Sequence, residues 1–312
     1  VKSLVPNDSL QLRRQVFTEL MTPDKKTNYM DGAGFDLLRP YNKEHNFDLE
    51  SRLWIAFLYG MSYSTTTAIR FSQEFPTIKD VKPAALKAYW ASERESLYFL
   101  PDKKYLKNMN QVVPAIKSIY KLSGGNLESY LSPFLEEPNL DSLYKEIRSS
   151  WAYFGTHGAF LFFDALYMLA PEKYNDITVL DWKNGGQTVV EGMAHLLGDD
   201  EAIDTKQYNY SRYNSMVDKL SKKFNQPRIA VESQLCFFRK LFKGTRYMGY
   251  YADRQLVECL DTAELLKDRY NIDIWKYREQ AIPEHMRGEV GGWNSIRKDR
   301  LNLFKTTGEL YP

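Results

Sequence analysis

The chain has 312 residues, with 42 Lys and Arg against 40 Asp and Glu, so its formal net charge is only +2. Two Cys exclude a disulfide scaffold and any zinc or iron–sulfur centre built on Cys. The charge balance excludes a uniformly basic nucleic-acid coat, while 14% aromatic residues, 22 of them Tyr, call for a large core, a binding surface, or both.

In chain order, residues 1–45 show no sustained periodicity and read as an irregular N-terminal segment. Val1 to Leu20 lacks the charged-then-apolar order of a signal peptide, so both thiols are expected to be reduced in a cytosol-like compartment. Residues 49–63 have helical spacing, with Leu53, Ala56, Phe57 and Gly60 on one side and Asp48 as N-cap. A helix over 82–98 carries Pro83 in its first turn, and one over 110–122 ends at Gly124-Gly125. Further helical patterns cover 140–147, 151–169, 187–197, 211–224, 229–242 and 252–270. The longest apolar run, 159–170, contains Asp164 and falls short of the roughly 20 residues a membrane span needs. Strand patterns are scarce, Thr178-Val179-Leu180 being the best. With no repeat and no linker, the expectation is a single mostly-α, multi-helix globular domain over 1–312 with few short strands.

Charge is unevenly distributed. Residues 151–200 carry 2 basic and 7 acidic groups, whereas 205–254 carry 11 basic and 3 acidic ones. The near-neutral total therefore hides an acidic segment followed by a basic one.

No G-x-x-x-x-G-K-[ST], H-E-x-x-H or zinc-deaminase pattern occurs, which argues against a P-loop kinase, a zincin and a zinc deaminase. The richest segment is 228–254. On a helix, Glu232, Cys236, Arg239 and Lys243 share one face, followed past Gly244 by Arg246, Tyr247, Tyr250, Tyr251 and Arg254. Cations suit phosphates and Tyr rings suit unstacked bases. A solvated basic face beside a core helix is the plainer reading.

Further upstream, Glu191 and His195 are four residues apart, fitting either a general base with its orienting carboxylate or a surface pair, with Asp181 ahead of them as a cap. Arg52, with Tyr59 and Tyr63, needs an anionic partner, either a structural carboxylate or a phosphate. His157 lies in a nearly all-apolar helix with Asp164 on its face and reads first as a core histidine. His285 and Arg287 fall in a Gly-rich loop.

Three segments together, RLWIAFLYGMSYS (52–64), DWKNGGQTVVEGMAHLLGDDEA (181–202) and ESQLCFFRKLFKGTRYMGYYADRQLVE (232–258), resemble the helical bacteriophage family that hypermodifies thymine in DNA. That family comprises the amino acid:DNA transferases and α-glutamyl/putrescinyl-thymine pyrophosphorylases, with relatives attached to 5-hydroxymethyluracil DNA kinases. The resemblance implies an enzyme of the host cytoplasm, free of membrane and cofactor. Its partners would be DNA carrying a phosphorylated 5-hydroxymethyluracil and an amino acid or polyamine nucleophile that displaces the (pyro)phosphate. Such a reaction needs cations on the leaving group, a base for the nucleophile and rings for a flipped base. Arg52, Arg239, Lys243, Arg246 and Arg254 fit the first need. Glu232, Glu191 or His195 fit the second, with Asp181 or Asp253 on the amine. Tyr59, Tyr63, Tyr247 and Tyr250 fit the third. Cys236 beside Arg239 offers a thiolate for addition to the pyrimidine, against the plainer reading of an inert thiol. A glycosylase-like base-flipping enzyme and a non-catalytic DNA-binding protein are the alternatives. The transferase reading requires Arg52, Glu232, Arg239 and Arg254 to converge.

Overall fold

A computed structural model describes residues 5, 8–32, 37–99, 109–178, 180, 182, 186–287 and 293–310, the side chains of 109 and 293–298 apart. Its helices are α1 (Leu10–Leu20), α2 (Leu38–His45), α3 (Leu49–Ser62), α4 (Thr65–Glu74), α5 (Pro83–Glu93), α6 (Val112–Ser123), α7 (Leu127–Leu135), α8 (Asp141–Ser150) and α9 (Thr156–Leu169). They continue as α10 (Gln187–Leu197), α11 (Asp200–Thr205), α12 (Tyr210–Phe224), α13 (Arg228–Phe242), α14 (Tyr250–Tyr270), α15 (Ile274–Ala281), α16 (Glu284–Arg287) and α17 (Trp293–Thr307). Among the described residues no strand forms, and the mostly-α expectation holds. The candidate strand at 178–180 is diverted because the Thr178 amide donates to Asp141 at 2.8 Å; Val179 lies outside the described residues. No helix among the described residues is long and apolar enough to cross a membrane.

The helices gather into two compact units. One comprises Val1–Gly34, Val179–Val257 and Arg278–Pro312; the other comprises Phe35–Thr178 and Glu258–Tyr277. In the first, α13 buries Val231, Leu235, Phe238 and Phe242, a stripe spaced by four, three and four residues that packs on α10. Gly192 of α10 makes this crossing close: a Cβ there would sit 2.9 Å from the Leu235 carbonyl carbon and nearer still to its oxygen. Helix α1 packs on both, with Phe17 edge-on to Phe238 at 5.6 Å. The irregular segment expected over 1–45 is therefore corrected, since both α1 and α2 fall inside it. Ser9 caps α1 by accepting from the Leu12 amide, and its buried side is Val16, Phe17 and Leu20 with the charged Arg13 among them. So few apolar positions in an otherwise polar stretch give little periodic signal.

In the second unit α3 is buried almost all round and packs on α9 and α4. Phe57 stacks on Trp54 at 5.5 Å and on Phe154 at 5.1 Å. Asp48 caps α3 through the Ser51 amide, as its position implied. Ser64 caps α4, and the buried Glu258 carboxylate accepts from Ser64 Oγ at 2.5 Å and from the Thr66 amide at 2.7 Å.

Candidate active site

The first unit holds most of the residues singled out above. They form two linked groups on α13. Along one side, Arg239 Nε donates to Glu191 Oε2 at 3.3 Å and Lys243 Nζ donates to the same oxygen at 2.5 Å. Burial works to raise the Glu191 pKa, but these two cations outweigh it and hold the carboxyl below its ordinary value. Glu191 is therefore an ionised partner of two cations, and its lowered pKa makes it a weaker base than an ordinary carboxylate.

His195 belongs to another network. Its Nε2 lies 3.4 Å from Asp8 and its Nδ1 3.5 Å from Asp200, while Arg13 binds both carboxylates and the His195 carbonyl. Burial, ahead of the opposing pull of Asp8, drops its pKa to about 4, so the ring is neutral at pH 7 and those contacts are not ion pairs there. The ring packs on Phe242 at 4.8 Å. Glu191 and His195, whose spacing fits either a general-base dyad or a surface pair, thus have two separate sets of partners and are both buried. Both side chains point into the helix packing, where spacing along α10 does not decide who pairs with whom. Asp181 lies outside the described residues.

The second group is Glu232, Cys236, Lys240 and Arg246. Glu232 is half-buried on α13, and burial pushes its carboxyl up to about 7. Among the described residues, a long 3.5 Å bond from Ser233 and the field of Lys240 pull it the other way. Four residues on, Cys236 is also half-buried, and its thiol is raised by burial and by the Glu232 charge against the weaker pull of Lys240 and Arg246. The Arg239 guanidinium is turned to Glu191 and burial raises the thiol, which favours the plainer reading of an inert thiol over the thiolate.

Past α13, Arg246 stacks over the Tyr250 ring with its Cζ 4.0 Å from the centroid, and Arg254 approaches the same ring at 5.9 Å. Arg254 Nη1 meets Tyr250 Oη at 3.4 Å, while its Nη2 is buried without a hydrogen bond. Arg246, whose charge also reaches the Cys236 thiol, thus stands near both Cys236 and the Tyr250–Arg254 cluster. Tyr247 is 3% exposed and donates to Asp253 Oδ2 at 2.7 Å, so its ring offers no face to a base. Buried Asp253 is likewise occupied by Tyr247. Beside this region α12 exposes Lys219, Lys222 and Lys223, none ion-paired to a described carboxylate.

Arg52, Tyr59 and Tyr63 belong to the second unit. Arg52 donates to the Leu169 carbonyl at 3.1 Å and pairs with Glu172 at 2.6 Å, closing the C-terminal end of α9. Of the two partners the sequence leaves open, a structural carboxylate and a phosphate, this is the structural one. Tyr59 is fully buried. Tyr63, left-handed at φ 55°, meets Tyr59 and His157 edge-on. His157 is exposed, not a core residue, although Thr156, Gly158 and Ala159 around it in the first turn of α9 are buried. Arg287 donates to the carbonyls of Ile282 and Glu279, and the His285 carbonyl accepts from Arg300.

Sequence spacing missed Lys240, although it lies eight residues from Glu232 on the same helix side. It also missed Asp31, whose two backbone-amide partners, Gly249 and Tyr251, are more than two hundred residues away. No cluster of three or more His, Cys, Asp or Glu able to hold a metal ion occurs among the described residues.

The family model described as "Amino acid:DNA transferase" matches residues 34–247 of this chain. A relative named serinyltransferase, from Salmonella phage ViI, is 25% identical over an alignment covering 83% of this chain and 71% of that protein. No solved structure matches.

Proposed function

The chain belongs to the amino acid:DNA transferase family, and from that premise we propose that it replaces the (pyro)phosphate of a 5-(pyro)phosphomethyluracil in DNA with an amino acid nucleophile. The observation that carries the reading is Glu232, a recessed carboxyl titrating near 7, in the electrostatic reach of Lys240 and beside a thiol that also feels Arg246. A general base works best with a pKa near the working pH. Glu232 takes the proton of the attacking amine or hydroxyl. The nucleophile forms a bond to the exocyclic carbon as the carbon–oxygen bond breaks, and the (pyro)phosphate leaves with the electron pair. Arg246, Arg254 and Lys240 hold that departing charge. Tyr250 keeps the two guanidiniums ordered and has a half-buried ring for the base. Arg239 and Lys243, paired by Glu191, add positive field along α13.

The named relative makes serine the first nucleophile to test. The family description favours an amino acid over a polyamine, and a transferase over a glycosylase or a non-catalytic DNA binder. The test incubates the protein with DNA bearing phosphorylated or pyrophosphorylated 5-hydroxymethyluracil and a panel of amino acids and polyamines, followed by mass spectrometry of the nucleosides. The expected product is a base heavier by the amino acid and lacking phosphate. An unaltered base across the panel, with folded protein and verified activated DNA, refutes the reading.

A further inference from the structure

Gly244 to Gly249 connects α13 to α14 and carries Arg246, with Tyr250 opening the next helix. The segment is short, and its cation must sit at one place to meet a phosphate. What fixes it comes from far away in the sequence. Asp31, 1% exposed, accepts from the Gly249 amide through Oδ2 at 2.7 Å. Its Oδ1 accepts from the Tyr251 amide at 3.2 Å and from Tyr29 Oη at 2.7 Å. Asp253 holds Tyr247 Oη at 2.7 Å, and Arg300 Nη1 donates to the Met248 carbonyl at 3.1 Å. Gly249 has φ +89°, a conformation that suits glycine, with Arg300 packed against the place where a Cβ would stand. Positions 247, 249 and 251 are thus tied to the buried Asp253 and Asp31 and position 248 to the half-buried Arg300, with the half-buried Arg246 and Tyr250 between them. A carboxylate that accepts three hydrogen bonds in a buried place is a stiff anchor, since losing one acceptor leaves a buried amide unsatisfied.

We propose that Asp31 is a positioning residue for the transfer reaction: by binding the Gly249 and Tyr251 amides it sets where Arg246 and Tyr250 stand against the leaving group. This rests on the function proposed above. The competing account makes Asp31 only a cap for α14, which adds stability and nothing else.

Kinetics of Asp31→Asn, Arg246→Gln and the double variant separate the two. Asn keeps the shape but turns an NH2 toward one of the two amides. A displacement near 1 Å at a reacting group costs on the order of 100-fold. Asp31→Asn is therefore expected to lower kcat/KM for the activated DNA by roughly 10- to 100-fold, with KM for the amino acid unmoved. The double variant is expected to lose less than the product of the two single losses, because part of the Asp31 effect passes through Arg246. Tyr29→Phe, which removes only one of the three hydrogen bonds, gives the same non-additive pattern with a smaller loss and serves if Asp31→Asn does not fold. Losses that multiply in the double variant overturn the positioning role, as does an Arg246→Gln defect that neither Asp31→Asn nor Tyr29→Phe shares. An Arg246→Gln enzyme with undiminished kcat/KM overturns the site assignment itself and the positioning role with it.

Discussion

Glu232→Gln probes the base and the fold in one variant. Burial raises this carboxyl from an ordinary 4.5 to about 7, so the folded protein holds its proton about 2.5 pH units more tightly than the unfolded chain does. At about 1.4 kcal/mol per unit, ionising Glu232 costs the native state about 3 kcal/mol. The penalty is absent below pH 4.5, where both states are protonated. It grows as the pH rises toward 7, because only the unfolded chain has released the proton, and it is constant above. Gln carries no charge at any pH. The variant is therefore expected to match the wild type in stability near pH 4.5 and to exceed it by about 3 kcal/mol at pH 8.5. Activity should move the other way. Wild-type kcat/KM is expected to rise tenfold per pH unit up to about 7 and then level. The variant should lose about 10²- to 10⁴-fold, with no rising limb. Urea unfolding followed by Trp fluorescence across that pH range, alongside the mass-spectrometric transfer assay, gives both curves. A variant less stable than wild type at pH 8.5, or one that keeps the rising limb, refutes the reasoning.

Gly192→Ala drives a methyl into the Leu235 carbonyl, so α13 must retreat from α10. Overpacking costs about 1–3 kcal/mol, more than the ~1 kcal/mol that Ala gains over Gly in a helix. A lower melting temperature together with a lower kcat/KM is expected, and a stabilised, fully active variant would show that the helices are not in contact there. Cys236→Ser should keep kcat within about twofold, because a protonated thiol is no nucleophile; a loss beyond about 100-fold would restore covalent catalysis. Replacing Lys219, Lys222 and Lys223 together by Gln should flatten the dependence of DNA binding on salt. The slope of log K against log salt falls by about 0.9 for each phosphate contact removed. Binding measured by anisotropy from low to moderate salt checks this, and an unchanged slope means that α12 faces solvent rather than DNA.

Much of the helical layout was legible because it rests on local rules. Asp48 ahead of α3, Pro83 in the first turn of α5 and Gly124 behind α6 each announce a boundary through backbone chemistry that needs no distant partner. Helix α4 escaped notice because its first turn is Thr-Thr-Thr, β-branched residues that suit strands better than helices. It is carried instead by Ser64 and by Glu258, far along the chain. The site divides in the same way. Glu232 and Cys236 fall in one recess as their spacing along α13 implies, and the Arg246–Tyr250–Arg254 cluster is local too. Periodicity does not say which partner a long side chain takes. Arg239 and Lys243 meet Glu191 across the α10–α13 crossing, and Arg52 meets the end of α9. Those choices depend on how closely helices approach, which at α10 is decided by one missing Cβ.

The division of the chain also has a consequence for the order of folding. The unit that holds Glu232 is assembled from three stretches, Val1–Gly34, Val179–Val257 and Arg278–Pro312, whereas the other draws most of its residues from the single stretch Phe35–Thr178. During synthesis that single stretch is complete before Glu232 has been made. If it stayed a flexible loop, closing it would cost the first unit on the order of 4 kcal/mol in chain entropy. Once it has collapsed, its ends are held by folded structure and much of that cost has already been met by its own core. The unit that holds Glu232 is thus expected to fold last, and only after the residues beyond Arg278 have emerged. Pulse-labelled hydrogen exchange would see protection in α3 and α9 before α10 and α13.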